Sequence, residues 1–403
     1  MGMKLLFVAD GRSPTALSWI DHFIRNGDEV HLVSSFPCQP APGLASFQVV
    51  PVAMSQVQGE QQGGGRQSLL RKLIPLGLRT RLRQWLGPLT LPKAARQLRV
   101  AIDTIRPDLV HAMRIPYEGM LTALAYELEA GNPAGQHRPP LVISVWGNDF
   151  TLHAASTRWM AEYTRRALQQ ADALHTDCQR DQRLAQEWGY DAQKPAVVLP
   201  GGGGIRTDVF NPGESGITQR EAVVINPRGF RAYVRNDTFF QSIPQILAQL
   251  PQARFLCPTM QDEAQAQQWV ADYQIIESVE LLPFQSRQQM AELYRRAQVV
   301  VSLTTHDGTP NTLLEALACG CFPVVGDLES LREGVKVGEN GLLVDPSDAQ
   351  AVAQAVVKAL SNPALCEQAV LISQQLIRER AEHGEVMRQA RAFYQSLCSK
   401  ADV

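Results

Sequence analysis

Short, continuous apolar runs recur along this chain, and each is followed by a segment with helical spacing before the next run begins. The first is KLLFVAD (Lys4–Asp10), then Thr15–Asn26 carries a helical pattern that Gly27 stops, and EVHLVSS (Glu29–Ser35) follows. LVHAM after Pro107-Asp108, PLVISVWG from Pro140 and ADALHTD from Ala171 continue the series. A second series starts at EAVVINPRG (from Glu221) and runs through ARFLCP, VELLPF, QVVVSLTT and FPVVGD, with helical QSIPQILAQL, MAELYRRA and LLEALACG between them. Unalternating apolar strands are buried on both faces, so the pattern predicts α/β architecture with parallel sheets covered by helices.

At 403 residues the chain is too long for one ordinary core. Glycine and proline concentrate in LPGGGGIRTDVFNPGESG (Leu199–Gly216), which marks the boundary. The expected domains are 1–205 and 216–379. The last residues, from LISQQL onward, read as a helix with no strand after it, and 380–403 are expected to pack back on the first domain.

A formal net charge of -2 offers no basic face, so nucleic acid is excluded as a partner. Seven scattered cysteines form no zinc spacing and point to reduced thiols in a cytoplasmic protein. The apolar core of the first residues is too short for a signal peptide, and no run reaches the length of a membrane span. After the polar, glycine-rich QGEQQGGGRQ (Gln58–Gln67), the stretch Leu69–Leu91 is rich in Arg, Leu and Trp and free of acids. It suits either a helical excursion packed on the first domain or an amphipathic surface that meets anionic lipid at the inner face of a membrane.

The densest chemistry lies in TTHDGTPNTLLEALACGC (Thr304–Cys321). A buried strand delivers Asp307 and Gly308 at its carboxyl end, where open parallel sheets bind ligands. Pro310 suits the first turn of the helix that follows, and Gly320 stops it. The N–H groups of Asn311 to Leu314 lack intrahelical partners and form an anion site. Glu315 follows one turn in, where it suits two vicinal hydroxyls. From the residues alone, a solvent-facing Glu315 and a turn-stabilising Asp307 remain open.

The segment THDGTPNTLLEALACGCFPVVGDLESLREGVKVGENGLLVDPSD resembles the donor-binding segment of family 4 retaining glycosyltransferases. Those have the GT-B fold, two Rossmann-like domains whose sheets face across a cleft, with a C-terminal helix crossing back to the first. The likeness extends to PGGGGIRTDVFNP, VELLPF and LYRRAQVVVSLTT. It implies that Glu315 binds the ribose of a nucleotide sugar and that Asp307 holds donor-sugar hydroxyls. Gly308, Thr309, Pro310, Asn311, Thr312 and Leu313 would line sugar and diphosphate. In NPRGFRAYVRND, Arg228 and Arg235 are implied as the phosphate pair, with Arg231 competing for the second place. The backbone near Phe284 would meet the base.

The chain departs from the family in three places. Its first acid is Asp, not Glu, and DGRSPT replaces a glycine pair, which puts Arg12 and Ser13 on the acceptor side. Trp146 stands where a histidine is usual, leaving Asn148, Asp149 and His153 as candidates for orienting the acceptor, with His111 either lining the cleft or filling a strand end. Asp307, Arg228, Arg235 and Asp149 are the candidate catalytic residues. The implied activity is retaining transfer from a nucleotide sugar, UDP favoured over GDP, to a small-molecule or lipid hydroxyl. The nucleotide sugar is a substrate, so no cofactor is expected, and no D-x-D pair sits in a metal-binding context. The alternatives are an epimerase or hydrolase of the donor on the same fold, or a non-catalytic nucleotide-sugar-binding subunit.

Overall fold

The computed structural model describes residues 2–53, 76–128, 138–213 and 220–401. The chain forms two units, Met1–Gly203 with Val386–Val403, and Gly204–Glu385. Gln58–Gln67 and the start of the basic stretch, 69–75, lie outside the described residues.

The first unit holds a parallel sheet of seven strands: β1 (Lys4–Ala9), β2 (Glu29–Ser34), β3 (Ser46–Val49), β4 (Leu109–Ala112), β5 (Leu141–Val145), β6 (Ala173–Thr176) and β7 (Ala196–Val198). Their spatial order is β3-β2-β1-β4-β5-β6-β7. Successive residues of β1 serve opposite faces, as a pleated strand requires. Leu6 and Val8 enter a core with the helices Leu91–Ile105 and Met120–Glu127, while Leu5 and Phe7 pack with Trp19, Phe23, Met387 and Tyr394. Burying each such side chain contributes roughly 1.5–3 kcal/mol, which explains why these runs contain no polar alternation.

The second unit holds six parallel strands: β8 (Val223–Ile225), β9 (Arg254–Cys257), β10 (Val279–Leu281), β11 (Val299–Ser302), β12 (Phe322–Gly326) and β13 (Leu342–Val344). Their order is β10-β9-β8-β11-β12-β13. From β8 the chain builds outward to β10, then returns to β11 on the other side, so a switch point falls between β8 and β11. In the first sheet the corresponding point lies between β1 and β4. Ligand sites of open α/β sheets form beyond the carboxyl ends of the strands at such points.

The chain end differs from the single helix read in the sequence. Two helices, Pro363–Arg380 and His383–Ala401, are separated by a break. There Ile205 donates to the carbonyl of Ala381 at 2.6 Å and accepts from the N–H of His383 at 3.0 Å. A passing chain takes over those backbone groups, and the helical ladder is interrupted. The final helix docks in the first unit: Arg391 forks onto Asp28 at 2.7 and 2.9 Å, and Tyr394 stacks on Phe23 with ring centroids 5.0 Å apart.

The basic stretch forms the helix Leu76–Leu86 and a short 3-10 turn, Gly87–Thr90. Its described residues divide between buried and exposed. Gln84, Gly87 and Pro88 are buried, whereas Leu82, Trp85, Leu86 and Leu89 are exposed, Trp85 by 65%. No described helix is long and apolar enough to cross a membrane.

Candidate functional site

The second unit assembles a site at its switch point. Val234 and Thr304 form an isolated antiparallel bridge, flanked by Arg235 N–H to Leu303 carbonyl at 2.8 Å and Thr305 N–H to Tyr233 carbonyl at 2.9 Å. This seam draws the loop after β8 alongside the chain leaving β11. Asn236 fixes that loop, accepting from the Asn226 amide at 2.9 Å and donating to the carbonyl of Gly229 at 2.9 Å. Gly229 sits at φ 59°, and a Cβ there would lie 2.8 Å from the Thr259 hydroxyl. The loop therefore requires glycine at this point.

Arg228 and Asp307 meet as a result. Arg228 donates to Asp307 Oδ2 at 2.5 Å and to the Thr312 hydroxyl at 3.0 Å, which ties together the ends of β8 and β11 and the following helix. Its side chain is only 8% exposed, and its Nε is buried with no acceptor. Asp307 also accepts from the Gly308 N–H at 3.2 Å, and its carbonyl accepts from Ser330 at 2.7 Å.

The helix begins at Asn311 and ends at Ala318, with Pro310 in the N-cap position and no side-chain cap. The N–H groups of Leu313 and Leu314 return to the Pro310 carbonyl at 3.0 and 3.2 Å. The expectation that Leu313 offers a main-chain donor is thereby corrected, since its N–H closes the first turn. Pro310, without an N–H, shapes the turn. Thr309, Asn311 and Thr312 remain as N–H groups that donate to no described residue, and the dipole of the helix adds positive potential there.

Glu315 is not on the solvent face. Its carboxyl is half-buried, and burial pushes its pKa up to about 7, with Arg287 opposing. Tyr294 stands beside it, fully buried, its phenol held well above its usual range by burial and by Glu315. Among the candidate arginines, Arg235 is committed to Asp237, at 2.9 and 2.7 Å, and to Ser347 at 2.6 Å. Arg231 is exposed and makes no ion pair with a described residue. Phe284 is 80% exposed beyond β10.

In the first unit several sequence candidates have their polar atoms engaged within the protein. Asp149 is 1% exposed. It accepts from Arg114 Nε at 2.8 Å and from the N–H groups of Ile115 and Trp146, both at 3.1 Å. Burial raises its pKa against these donors. It ties the loop after β5 to the loop after β4, and its carboxylate is engaged by three donors within the protein. Asn148 supports the same contact, accepting from Arg114 at 2.8 Å. His111 is wholly buried and does not line a cleft. It bonds the Tyr394 hydroxyl through Nδ1 and Ser144 through Nε2 at 2.7 Å, and Ser144 bonds His175 at 2.8 Å. Ser13 caps the helix Pro14–Arg25, accepting from the Ala16 N–H at 3.3 Å, so its hydroxyl is occupied. His153 bonds Gln84 at 3.1 Å. Trp146 is part-exposed, and its indole N–H is buried without an acceptor. Arg12 is exposed and forks onto Asp10 at 3.0 and 2.9 Å.

Asn226, Asn236, Tyr294 and Arg114 were absent from the sequence candidates. Arg114 carried one signal, a cation immediately after the strand LVHAM. The asparagine pair carried none, because its contact depends on how the loop folds back.

Among the described residues, one group could bring three metal-ligand atoms together: Asp177, Cys178 and Asp181, in the first unit. Arg180 already holds Asp181 at 2.6 and 2.9 Å.

Comparison with known proteins agrees with this arrangement. A family model described as "Glycosyl transferase 4-like domain" matches residues 11–201, and one described as "Glycosyl transferases group 1" matches residues 210–375. The chain is 22% identical over 288 residues to EpsD of Bacillus subtilis, covering 67% of this chain and 72% of that protein. It is 26% identical over 209 residues to the D-inositol 3-phosphate glycosyltransferase of Geodermatophilus obscurus, covering 47% and 46%. Sucrose-phosphate synthase from Thermosynechococcus elongatus superposes with a TM-score of 0.73 at 15% identity, covering 98% of this chain and all of that one. HepE of Anabaena, solved in complex with UDP, gives 0.71 at 16% identity with the same coverage. With both units matched by glycosyltransferase models, and with two parallel-sheet α/β domains shared with these structures, the chain belongs to the family 4-like glycosyltransferases of the GT-B fold.

Proposed function

We propose that this glycosyltransferase moves a sugar from a UDP-sugar to an acceptor hydroxyl, with retention of configuration and without a metal ion. The observation that carries this reading is the cluster of Arg228, Asp307 and Thr312 at an uncapped helix N-terminus, with the desolvated Glu315 one turn further in. The unengaged N–H groups of Thr309, Asn311 and Thr312 suit a diphosphate, and Arg228, held beside them by Asp307 and Thr312, adds positive charge. Glu315 suits the ribose hydroxyls, and the exposed Phe284 suits the base. Anabaena HepE, solved with UDP and with UDP-glucose, supports UDP as the nucleotide. Arg231, with no ion pair to give up, is a better second phosphate ligand than Arg235 in its observed state.

In the reaction, the bond between the anomeric carbon and the phosphate oxygen breaks while the acceptor oxygen bonds that carbon. The acceptor proton passes to the departing phosphate, so no strong protein base is needed. Arg228 and the helix N-terminus stabilise the charge that develops on the leaving group, a contribution on the order of 10²–10³ in rate per donor. In this reading these positive groups do the work of a metal ion. The exposed Leu82, Trp85, Leu86 and Leu89 fit peripheral contact with lipid.

The test is transfer from a panel of UDP- and GDP-sugars by the wild type, Asp307→Asn and Glu315→Gln. Undiminished transfer in both variants sinks the assignment. Product analysis with and without acceptor separates transfer from donor hydrolysis or epimerisation, and donor binding with no transfer to any acceptor identifies a non-catalytic subunit. Activity lost to a chelator and restored by Mg²⁺ or Mn²⁺ refutes metal independence. The anomeric configuration of the product decides retention.

A further inference from the structure

The first unit has a second cluster at its own switch point, which the donor chemistry leaves unused. Arg83, on the inner side of the helix Leu76–Leu86, lies over two aromatic rings. Its guanidinium carbon is 4.9 Å from the centroid of Phe36 and 4.9 Å from that of Tyr117. Phe36 follows β2, and Tyr117 follows β4. The helix is held in this position. The Tyr117 hydroxyl donates to the Arg83 carbonyl at 2.7 Å, and Gln84 donates to the Leu152 carbonyl at 3.3 Å. Gly87 presses on the Tyr117 ring so closely that a Cβ would sit 2.6 Å from it.

Arg83 makes no ion pair with a described residue, and its Nε is buried with no acceptor. Among the described residues, the acids that act on it, Asp10 and Glu118, have other partners, as does Asp149 on the loop after β5. Asp10 holds Arg12 through both oxygens, and Asp149 holds Arg114. Glu118, 3% exposed, accepts from the Ser35 hydroxyl and from the Tyr117 N–H at 2.8 Å. The cluster therefore carries an excess guanidinium with unused donors on a rigid aromatic seat. Arg12, over the other ring contact of Phe36 at 3.7 Å, flanks it. An arginine fork aligned in this way matches an oxyanion. Burial works against the charge on Arg83, with Glu118 and Asp10 favouring it without pairing to it directly.

We propose that Arg83, seated on Phe36 and Tyr117 with Arg12 beside it, binds an oxyanion carried by the acceptor, a phosphate ester or a carboxylate. Calling the ligand an acceptor rests on the glycosyl-transfer reading above. The anion site itself does not. The oxyanion can belong to a soluble compound or to a lipid headgroup, because the exposed apolar residues Leu82 and Trp85 lie on the same helix.

The experiment titrates inorganic phosphate into the full-length protein already saturated with UDP, so that the donor site is filled. Wild type is expected to bind phosphate, Arg83→Gln to bind it at least tenfold more weakly, and Arg83→Lys to fall between. UDP affinity should be equal in all three, which also shows that the variants are folded. Equal phosphate affinity in wild type and Arg83→Gln, or no binding by wild type, overturns the site. A second arm needs no variant: matched acceptors with and without a phosphate group are compared for transfer by the wild type. At least tenfold higher kcat/KM for the phosphorylated member is expected, and a preference for the neutral member overturns the role in acceptor selection. If Arg83-dependent phosphate binding appears but no sugar is transferred to anything, the anion site stands and the transferase reading fails. Repeating the transfer with a lipid-anchored phosphate in vesicles and with its soluble counterpart identifies the source.

Discussion

Glu315 should make donor binding depend on pH near neutrality. Its carboxyl is raised to about 7 by burial, and the ionised form is the stronger acceptor for two ribose hydroxyls. At pH 6 roughly a tenth of the free protein has the carboxylate, and at pH 8 roughly nine-tenths. UDP affinity should therefore rise about tenfold, or ~1.4 kcal/mol, across that interval. The phosphate of UDP also titrates in this range, so the measurable quantity is the difference between wild type and Glu315→Gln. Calorimetry in two buffers of different ionisation enthalpy should show about half a proton released per UDP at pH 7 in the wild type and that component missing in the variant. Stability should move the opposite way. A carboxyl whose folded pKa lies above its unfolded value stabilises the fold below about 4.5, and that support is lost as pH rises through about 7. Glu315→Gln should therefore be more stable than wild type at pH 8, by no more than about 3 kcal/mol because water reaches the half-buried carboxyl. A pH profile identical in wild type and variant, together with equal stability at pH 8, refutes the assignment of Glu315.

Asn236→Ala should cost about 2–3 kcal/mol, since it strands Asn226 and the Gly229 carbonyl in a buried site, and should lower transfer by loosening Arg228. Urea denaturation and donor kinetics check this, and wild-type values in both refute it. Tyr394→Phe removes a hydroxyl that accepts from Trp19 at 2.9 Å and bonds His111, so a loss of about 1–3 kcal/mol is expected in thermal or chemical denaturation. Burial holds His175 down to about 4 and His111 well below its ordinary value. Below about 6.5 the unfolded chain takes protons that these two histidines refuse. Stability should fall as pH drops from 6.5 towards 4, by up to about 1.4 kcal/mol per unit for each histidine; urea midpoints that stay level between pH 7 and 5 contradict it. Replacing Leu82 and Trp85 together by Ser should weaken sedimentation with anionic vesicles, and equal sedimentation of wild type and variant removes the membrane reading.

Apolar runs such as LLFVA, LVISV and VVVS are strands in any context that buries both of their faces, and so the parallel α/β architecture was legible from the sequence. The short edge strands β3, with its alternating exposed residues, and β7 were not, because an edge strand is specified by its neighbour more than by its own pattern. The turn at Asp307, the stop at Gly320 and the helix between them were also readable, since turn chemistry and capping are local. The pairing of Arg228 with Asp307 was not. It depends on the seam between Val234 and Thr304 and on the Asn226–Asn236 contact, which join residues far apart in the chain.

The same division explains the candidates whose polar atoms are engaged within the protein. Asp149, His111 and Ser13 have the residue types that chemistry uses, and the sequence cannot tell a carboxylate that meets a substrate from one that accepts three donors within the protein. Arg83 shows the reverse: in a basic, apolar stretch it looked like one of several surface cations. The sequence by itself determined which segments are buried, where the chain turns and where the helix after β11 starts and stops, because these follow from nearest neighbours and periodicity. Only the tertiary structure decided which charges are already neutralised and which remain available. That depends on partners brought together by folding, so the guanidinium of Arg83, without an ion pair among the described residues, and the desolvated carboxyl of Glu315 became visible only there.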